Sequence, residues 1–195
     1  MTSNRDRFYF ALILLAMFAF IAQAARHTPA YTSMEKKITI LETNDSNPPA
    51  QPQGVVITQD ELNAFMNEGG VTLPKGLSDV KFDLRSGIVH ATSKVDFDTL
   101  SEGQANANPI FSALFTGTHD VDAEAQASGS SGQGTVTIQS VKLDGMQVPK
   151  SALEYLVQHY VKPRYPQAGM TTTFDLPARI DSAVVQQGQV ELTQK

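Results

Sequence analysis

The 195-residue chain contains no cysteine and no tryptophan. Without cysteine there are no disulfides, no thiolate-built zinc or iron–sulfur sites and no lipid-modified N-terminal cysteine. Stability must therefore come from packing. Basic residues are few and scattered: 15 Lys and Arg stand against 20 Asp and Glu, a net charge of −5. Nucleic acids and anionic headgroups are both gripped by clustered cations, so no nucleic-acid partner is expected. Catalytic signatures are missing as well: there is no HExxH, no GxSxG and no paired-histidine spacing. The four histidines, His27, His90, His119 and His159, are scattered along the chain. His119 and Asp120 are neighbours in an extended segment and point to opposite faces, so they form no dyad. The expectation is a non-enzyme without a cofactor. A long hydrophobic run is absent too. The longest, Phe8 to Ala22, has 15 residues, and a helix needs about 20 to cross a hydrocarbon core of about 30 Å.

That short run is nevertheless informative. Arg5 and Arg7 precede it, and Ala22-Gln23-Ala24 follows with the small-x-small pattern of a cleavage site. Charged start, apolar middle and small-residue exit are the layout of a secretory signal. The alternative is a retained anchor with Arg5 and Arg7 on the cytoplasmic side. Residues 1–24 are thus expected to be a signal peptide or N-terminal membrane anchor. Either way the remainder works outside the cytoplasm, in a periplasm or on the outer face of the cytoplasmic membrane. Removing residues 1–24 leaves 171 of the 195 residues with a net charge of −6, enough for one domain with a real core.

Residues 25–54 read as an extended linker. Ile38 to Leu41 has strand character, and Glu42 to Gly54 is rich in Pro, Asn and Gln and poor in apolar groups. The domain then spans residues 55–195. Thr58 to Glu61 fits a capping box that opens a short helix carrying Leu62, Phe65 and Met66 on one stripe and stopping at Gly69-Gly70. Period-two alternation follows. Val80, Phe82 and Leu84 lead to a turn at Ser86-Gly87. Val89, Ala91, Val95 and Phe97 return on one face, opposite His90, Thr92, Lys94, Asp96 and Asp98. Residues 101–108 read as loop, and Pro109 to Phe115 (PIFSALF) is a compact apolar segment. His119 to Ala127 alternates again, Gly129 to Gly134 reads as a flexible hairpin loop, and Thr135 to Leu143 changes phase near Gln139–Ser140, the sign of a β-bulge. Asp144-Gly145 marks a tight turn. Pro149 opens a second helix with Leu153, Leu156, Val157, Tyr160 and Val161 on one stripe, ended by Lys162-Pro163. Thr171–Leu176, Ile180–Val185 and Gln189–Leu192 read as closing strands. The class is α+β: a long, curved antiparallel sheet wrapped around two helices.

An exported domain of strand pairs, with a Val148-Pro149 step into a helix and a Leu176-Pro177 step into a closing hairpin, resembles the bacterial tubular lipid-binding (TULIP-like) domains. These include the YpmS-like and mannan-elongation-accessory types of the cell envelope. The resemblance covers residues 55–193. It rests on layout and on KLDGMQVPKSALEYL (Lys142 to Leu156) and FDLPARIDSAVVQQGQVEL (Phe174 to Leu192). It implies a sheet curved around a long helix with an apolar groove for lipid chains.

The residues themselves point the same way. Ala91, Ala123, Ala125 and Ala127 fall on apolar strand faces, where small side chains leave room between sheet and helix. The expected ligand-binding set is Val89, Ala91, Val95, Val121, Ala123, Ala125 and Ile138 from the strands. Leu153, Leu156, Val157 and Tyr160 complete it from the helix. The expected partner is a lipid or another apolar small molecule, with the N-terminal segment as the link to the envelope membrane. The competing expectation is a filled core, with Phe65 and Tyr160 occupying the room. The protein would then be a structural domain that meets a protein partner by strand addition. Asp96, Asp98, Asp120, Asp122 and Glu124 alternate on strand faces, but with Lys81 and Lys94 nearby they read as a solvated face, and no metal site is expected. Lys162 to Pro166 (KPRYP) reads as a helix end with its favoured cations.

Overall fold

The computed structural model describes residues 27–100, 116–162 and 166–195. The expected signal or anchor, the apolar PIFSALF segment, and Pro163, Arg164 and Tyr165 lie outside the described residues.

Residues 25–54 are not the expected linker. An 18-residue helix, α1 (Pro29–Ser46), occupies most of them. Its start has a physical signature: the Thr28 hydroxyl accepts from the Tyr31 N–H at 3.2 Å, and Pro29 takes the first turn, where no N–H is needed. Tyr31, Met34, Ile38 and Leu41 form its buried stripe. The Ile38 to Leu41 stretch, expected to be strand-like, is therefore helical. Burying that stripe outweighs the weak strand preference of two isoleucines and a threonine. Only residues 47–52 remain as a connector.

Strand β1 (Gln53–Thr58) leads into α2 (Gln59–Asn67) through the expected capping box: Thr58 caps Glu61 N–H, and Glu61 accepts from Thr58 N–H at 2.7 Å. Glu61 is only 6% exposed. It also accepts from Ser33 Oγ at 2.5 Å and from Lys37 Nζ at 2.6 Å, which locks α1 onto α2. Burial works against its charge. The hydrogen bonds from Lys37, Ser33 and the Thr58 N–H, together with the lysine charge, outweigh it and hold the carboxyl below the usual 4.5.

Two long hairpins follow. The first is β2 (Leu77–Arg85) with β3 (Ile88–Asp96), leading into the one-turn α3 (Phe97–Leu100). The second is β4 (Thr118–Ser130) with β5 (Gln133–Leu143), then the two-residue β6 (Met146–Gln147). The GSSGQG stretch is not a loose loop. Gly129 and Gly134 pair within the ladder, and only Ser131-Gly132 turns, with φ of 53° and 76°. Two left-handed residues suit the right-handed twist of a tight hairpin. The expected bulge is present: Glu124 faces Ser140 and Ala125 faces Ile138, leaving Gln139 as the extra residue. Helix α4 (Lys150–Leu156) follows with Pro149 at its N-cap rather than inside its first turn, and a wider π-type turn carries it on through Val157–Val161. The chain closes with β7 (Thr171–Asp175), β8 (Ile180–Gln186) and β9 (Gln189–Gln194).

The nine strands among the described residues belong to one antiparallel sheet, ordered β1-β9-β8-β4-β3-β2, with β5 also on β4, and β6 and β7 on β5. β4 and β8 meet at a single residue pair, Gly129 with Ala183. There β8 runs beside β4 just beyond the last β3–β4 pair, Ile88 with Gln126. A Cβ on Gly129 would lie 3.0 Å from the Ala183 Cβ and the Leu176 Cδ1, so this close approach needs the missing side chain. The main core lies beside this junction, with Ala183 and Leu176 among its buried residues. It joins the apolar stripes of α1 and α2 to Val55, Ile57, Leu84, Ile180 and Leu192. Gln194, 1% exposed, closes it: its Nε2 donates to the carbonyls of Leu41 and Ala178, and its Oε1 accepts from Asn44. No helix among the described residues is long and apolar enough to cross a membrane.

Candidate ligand-binding face

Register assembles six of the seven strand residues expected to bind ligand into one patch; the seventh, Val95, faces His119 and is buried in a small core beside it. Val89 faces Ala125, which faces Ile138. Ala91 faces Ala123, which faces Val141. Ser93 faces Val121, which faces Leu143. Directly opposed residues of antiparallel strands share a face, so these three rungs are contiguous. The Gln139 bulge keeps Ile138 and Val141 on that face, although their sequence spacing is odd. All nine residues of the patch are half-buried. The alanines occupy its middle, where their short side chains leave the surface low.

One end of the patch runs into a small second core. Val95 and Phe97 are buried there, with Leu77, Val121, Leu143 and Leu156 packed around them. Leu156 brings α4 to the sheet, as expected. Leu153 is buried and Val157 half-buried. The Tyr160 side chain lies outside what is described. α4 therefore serves the open half of the molecule, and the helices that fill the main core are α1 and α2.

The other end borders an apolar cavity of about 50 Å³, lined by residues that include Leu62, Val89, Val136, Phe174, Ala183 and Val185. Of the expected ligand-binding residues, only Val89 lines it. Ligand pockets for drug-sized molecules span about 300–1,000 Å³. A cavity of this size has room for a water or two, not an acyl chain.

The opposite sheet face is polar. His90 Nε2 lies 3.1 Å from Asp122, Arg85 pairs with Asp83 at 2.7 Å and reaches Glu124 at 3.8 Å, and Lys94 lies 3.6 Å from Asp79. Asp96 accepts from the N–H groups of Asp98 and Thr99 and from the Thr99 hydroxyl, which caps α3 and holds its carboxyl below the usual value. Asp98 accepts from the Gly117 N–H at 3.0 Å. Four of the five acidic residues considered as a cation site, Asp96, Asp98, Asp122 and Glu124, are thus divided between these separate tasks. His159 turns back on its own helix: its Nδ1 meets the Tyr155 carbonyl at 2.9 Å, and the two rings stack at 3.9 Å.

Two features escaped the sequence. The first is the sealing of the β2 edge by α2. Asn63 donates to the Phe82 carbonyl and accepts from its N–H, Gln59 accepts from Leu84 N–H, and Asn67 donates to the Val80 carbonyl. Residues 59, 63 and 67 are four apart, so they line one helix face and imitate a neighbouring strand. An edge so occupied is closed to strand addition. The second is the partner of His119. It is Asp144, from the tight turn after β5, with Nδ1 and Oδ2 2.6 Å apart.

No family model, curated protein or solved structure matches the chain.

Proposed function

We propose that this chain is an exported, envelope-associated, non-enzymatic domain that holds a lipid acyl chain, or a ligand of similar apolar shape, along the β3–β4–β5 face beside α4. The observation that carries this is the three-rung patch centred on Ala91, Ala123 and Ala125. Eight of its nine residues are apolar, Ser93 being the exception; all are half-buried, and the patch is continuous with the small core under Leu156. Burying such a patch is favourable by about 25 cal/mol per Å² of apolar surface, and a flexible chain matches a shallow strip without needing a closed cavity. The TULIP-like layout in the sequence supports the same ligand class. Export rests on the Arg5 to Ala24 segment.

A second function has one observation in its favour. The cavity of about 50 Å³ in the main core is too small for an acyl chain, which supports a structural or protein-interaction domain. With the β2 edge sealed by α2, strand addition would fall to another edge, such as that of β7.

The test is uptake of a fluorescent anthroyloxy-stearate by the full chain and by Ala125→Phe. A ligand strip at Ala125 requires uptake by the native chain and its loss in a folded Ala125→Phe variant. A filled interface there would instead be overpacked, at about 1–3 kcal/mol of stability. Unchanged uptake in the folded variant would remove Ala125 from the site.

A further inference from the structure

His119 opens β4 where the chain returns from α3. Its imidazole is bounded by acceptors on both nitrogens: Asp144 Oδ2 lies 2.6 Å from Nδ1, and the Thr116 carbonyl lies 2.8 Å from Nε2. A neutral imidazole has one N–H, so it can serve only one of them. Both bonds together require the imidazolium. Asp144 is fixed from its other side, accepting from Asp120 N–H at 2.9 Å. The ring stands edge-on to Phe97 at 5.8 Å, and Phe97 belongs to the small core at the end of the apolar patch. Two more bonds cross this junction: Phe97 N–H to the Gly117 carbonyl, and Gly117 N–H to Asp98.

We propose that His119 is a pH-operated clamp: doubly protonated, it ties the Thr116–Gly117 return of the chain to the β5–β6 turn at the end of the apolar face, and on losing a proton it releases one side. The surrounding charges agree. Asp144 from the β5–β6 turn and Asp98 from α3 face the ring, Asp96 is engaged in capping α3, Asp120 projects from the opposite face of β4, and Lys94 of β3 is directed to Asp79. The hydrogen bond to Asp144, then that to the Thr116 carbonyl, raise the imidazole above its ordinary 6.5 against a smaller opposing effect of burial. The same bond lowers Asp144 below 3.8, helped by the Asp120 N–H. A raised histidine stabilises the fold fully below its unfolded value, and that contribution is lost as pH rises through the folded one. The clamp is therefore closed below the raised value and opens as pH rises through it. Since Phe97 and Leu156 share the small core, opening loosens the end of the apolar strip. This last link, to ligand retention, rests on the proposed function; the clamp itself does not.

The test is a pH titration by NMR of the full chain in detergent micelles, following the His119 ring and the Gly117 and Asp120 amides. The expected result is a His119 midpoint above 6.5, with Gly117 moving at the same midpoint. Asp144→Asn should lower that midpoint. His119→Gln, with a single side-chain donor group and no titration, should leave Gly117 invariant over the same range. A native midpoint at or below 6.5, or a Gly117 amide that does not follow the ring, overturns the clamp. Anthroyloxy-stearate binding over the same pH range separates the two levels. Binding that weakens several-fold above the midpoint in the native chain, and stays flat in His119→Gln, supports ligand control. Flat binding in both, with Gly117 still following the ring, leaves the clamp and refutes its control of ligand. Absence of binding at every pH refutes the apolar-strip function, while Gly117 still decides the clamp.

Discussion

Glu61→Ala is expected to cost about 3 kcal/mol, because it removes the joint between the N-terminal helix and the rest of the fold. The carboxylate is 6% exposed and accepts from three groups: Ser33 Oγ, Lys37 Nζ and the Thr58 N–H. Breaking one partner of a buried ion pair typically costs about 3–5 kcal/mol. Lys37 retains 25% side-chain exposure and can swing its ammonium to water, which places this case at the lower end. In a domain of this size the loss corresponds to a fall of about 6–12 °C in melting temperature. The sign of the pH dependence is fixed as well. Glu61 is held below 4.5, so its contribution is present above that value and lost as pH falls through the lowered folded value. The variant's deficit should be equal at pH 7 and pH 5.5 and shrink only in stronger acid. The assay is thermal and urea unfolding by circular dichroism, with Lys37→Met/Glu61→Leu as a companion. Replacing both charges by apolar groups should recover most of the loss. A deficit under about 1 kcal/mol for Glu61→Ala, or a companion as unstable as the single variant, would refute the claim that this pair fastens α1.

Two further outcomes follow from named contacts. Asn63→Ala strips both partners from the Phe82 backbone, so it should lose about 1–3 kcal/mol in urea unfolding and, with the β2 edge open, show concentration-dependent light scattering; a monodisperse variant of native stability contradicts the edge-sealing role. Gln194→Ala leaves the Leu41 and Ala178 carbonyls without their donor and should cost about 2–3 kcal/mol, with amide exchange accelerating first at the C-terminal end of α1.

Much of the architecture was legible because its signals are local. Alternation from Val89 to Val95 and from Val121 to Ala127 gave the two-faced sheet, Thr58 and Glu61 gave the helix start, and the phase change before Val141 gave the bulge. The apolar patch followed, since alternation plus antiparallel register is enough to bring Ala91, Ala123 and Ala125 together. α1 was missed for a physical reason. Its local composition is polar, and its stripe of Tyr31, Met34, Ile38 and Leu41 acquires meaning only against α2. The Thr28-Pro29 start was the available signal. The GSSGQG stretch reads as loose because its glycines suggest flexibility, whereas two of them lie inside the ladder and allow close packing. The Asp144 partner of His119 is 25 residues away and depends on hairpin length, which no local pattern encodes. The spacing of Gln59, Asn63 and Asn67 was visible but looked like an ordinary solvated helix face.

The measurement that tests the central claim most directly is native mass spectrometry of the chain purified from the envelope of its own host, followed by organic extraction of whatever it carries. An apolar strip on β3–β4–β5 predicts a bound mass matching a phospholipid, a glycolipid or a free fatty acid, lost in Ala125→Phe. A ligand-free mass that persists after incubation with envelope lipids would contradict it and leave the filled-core interaction domain.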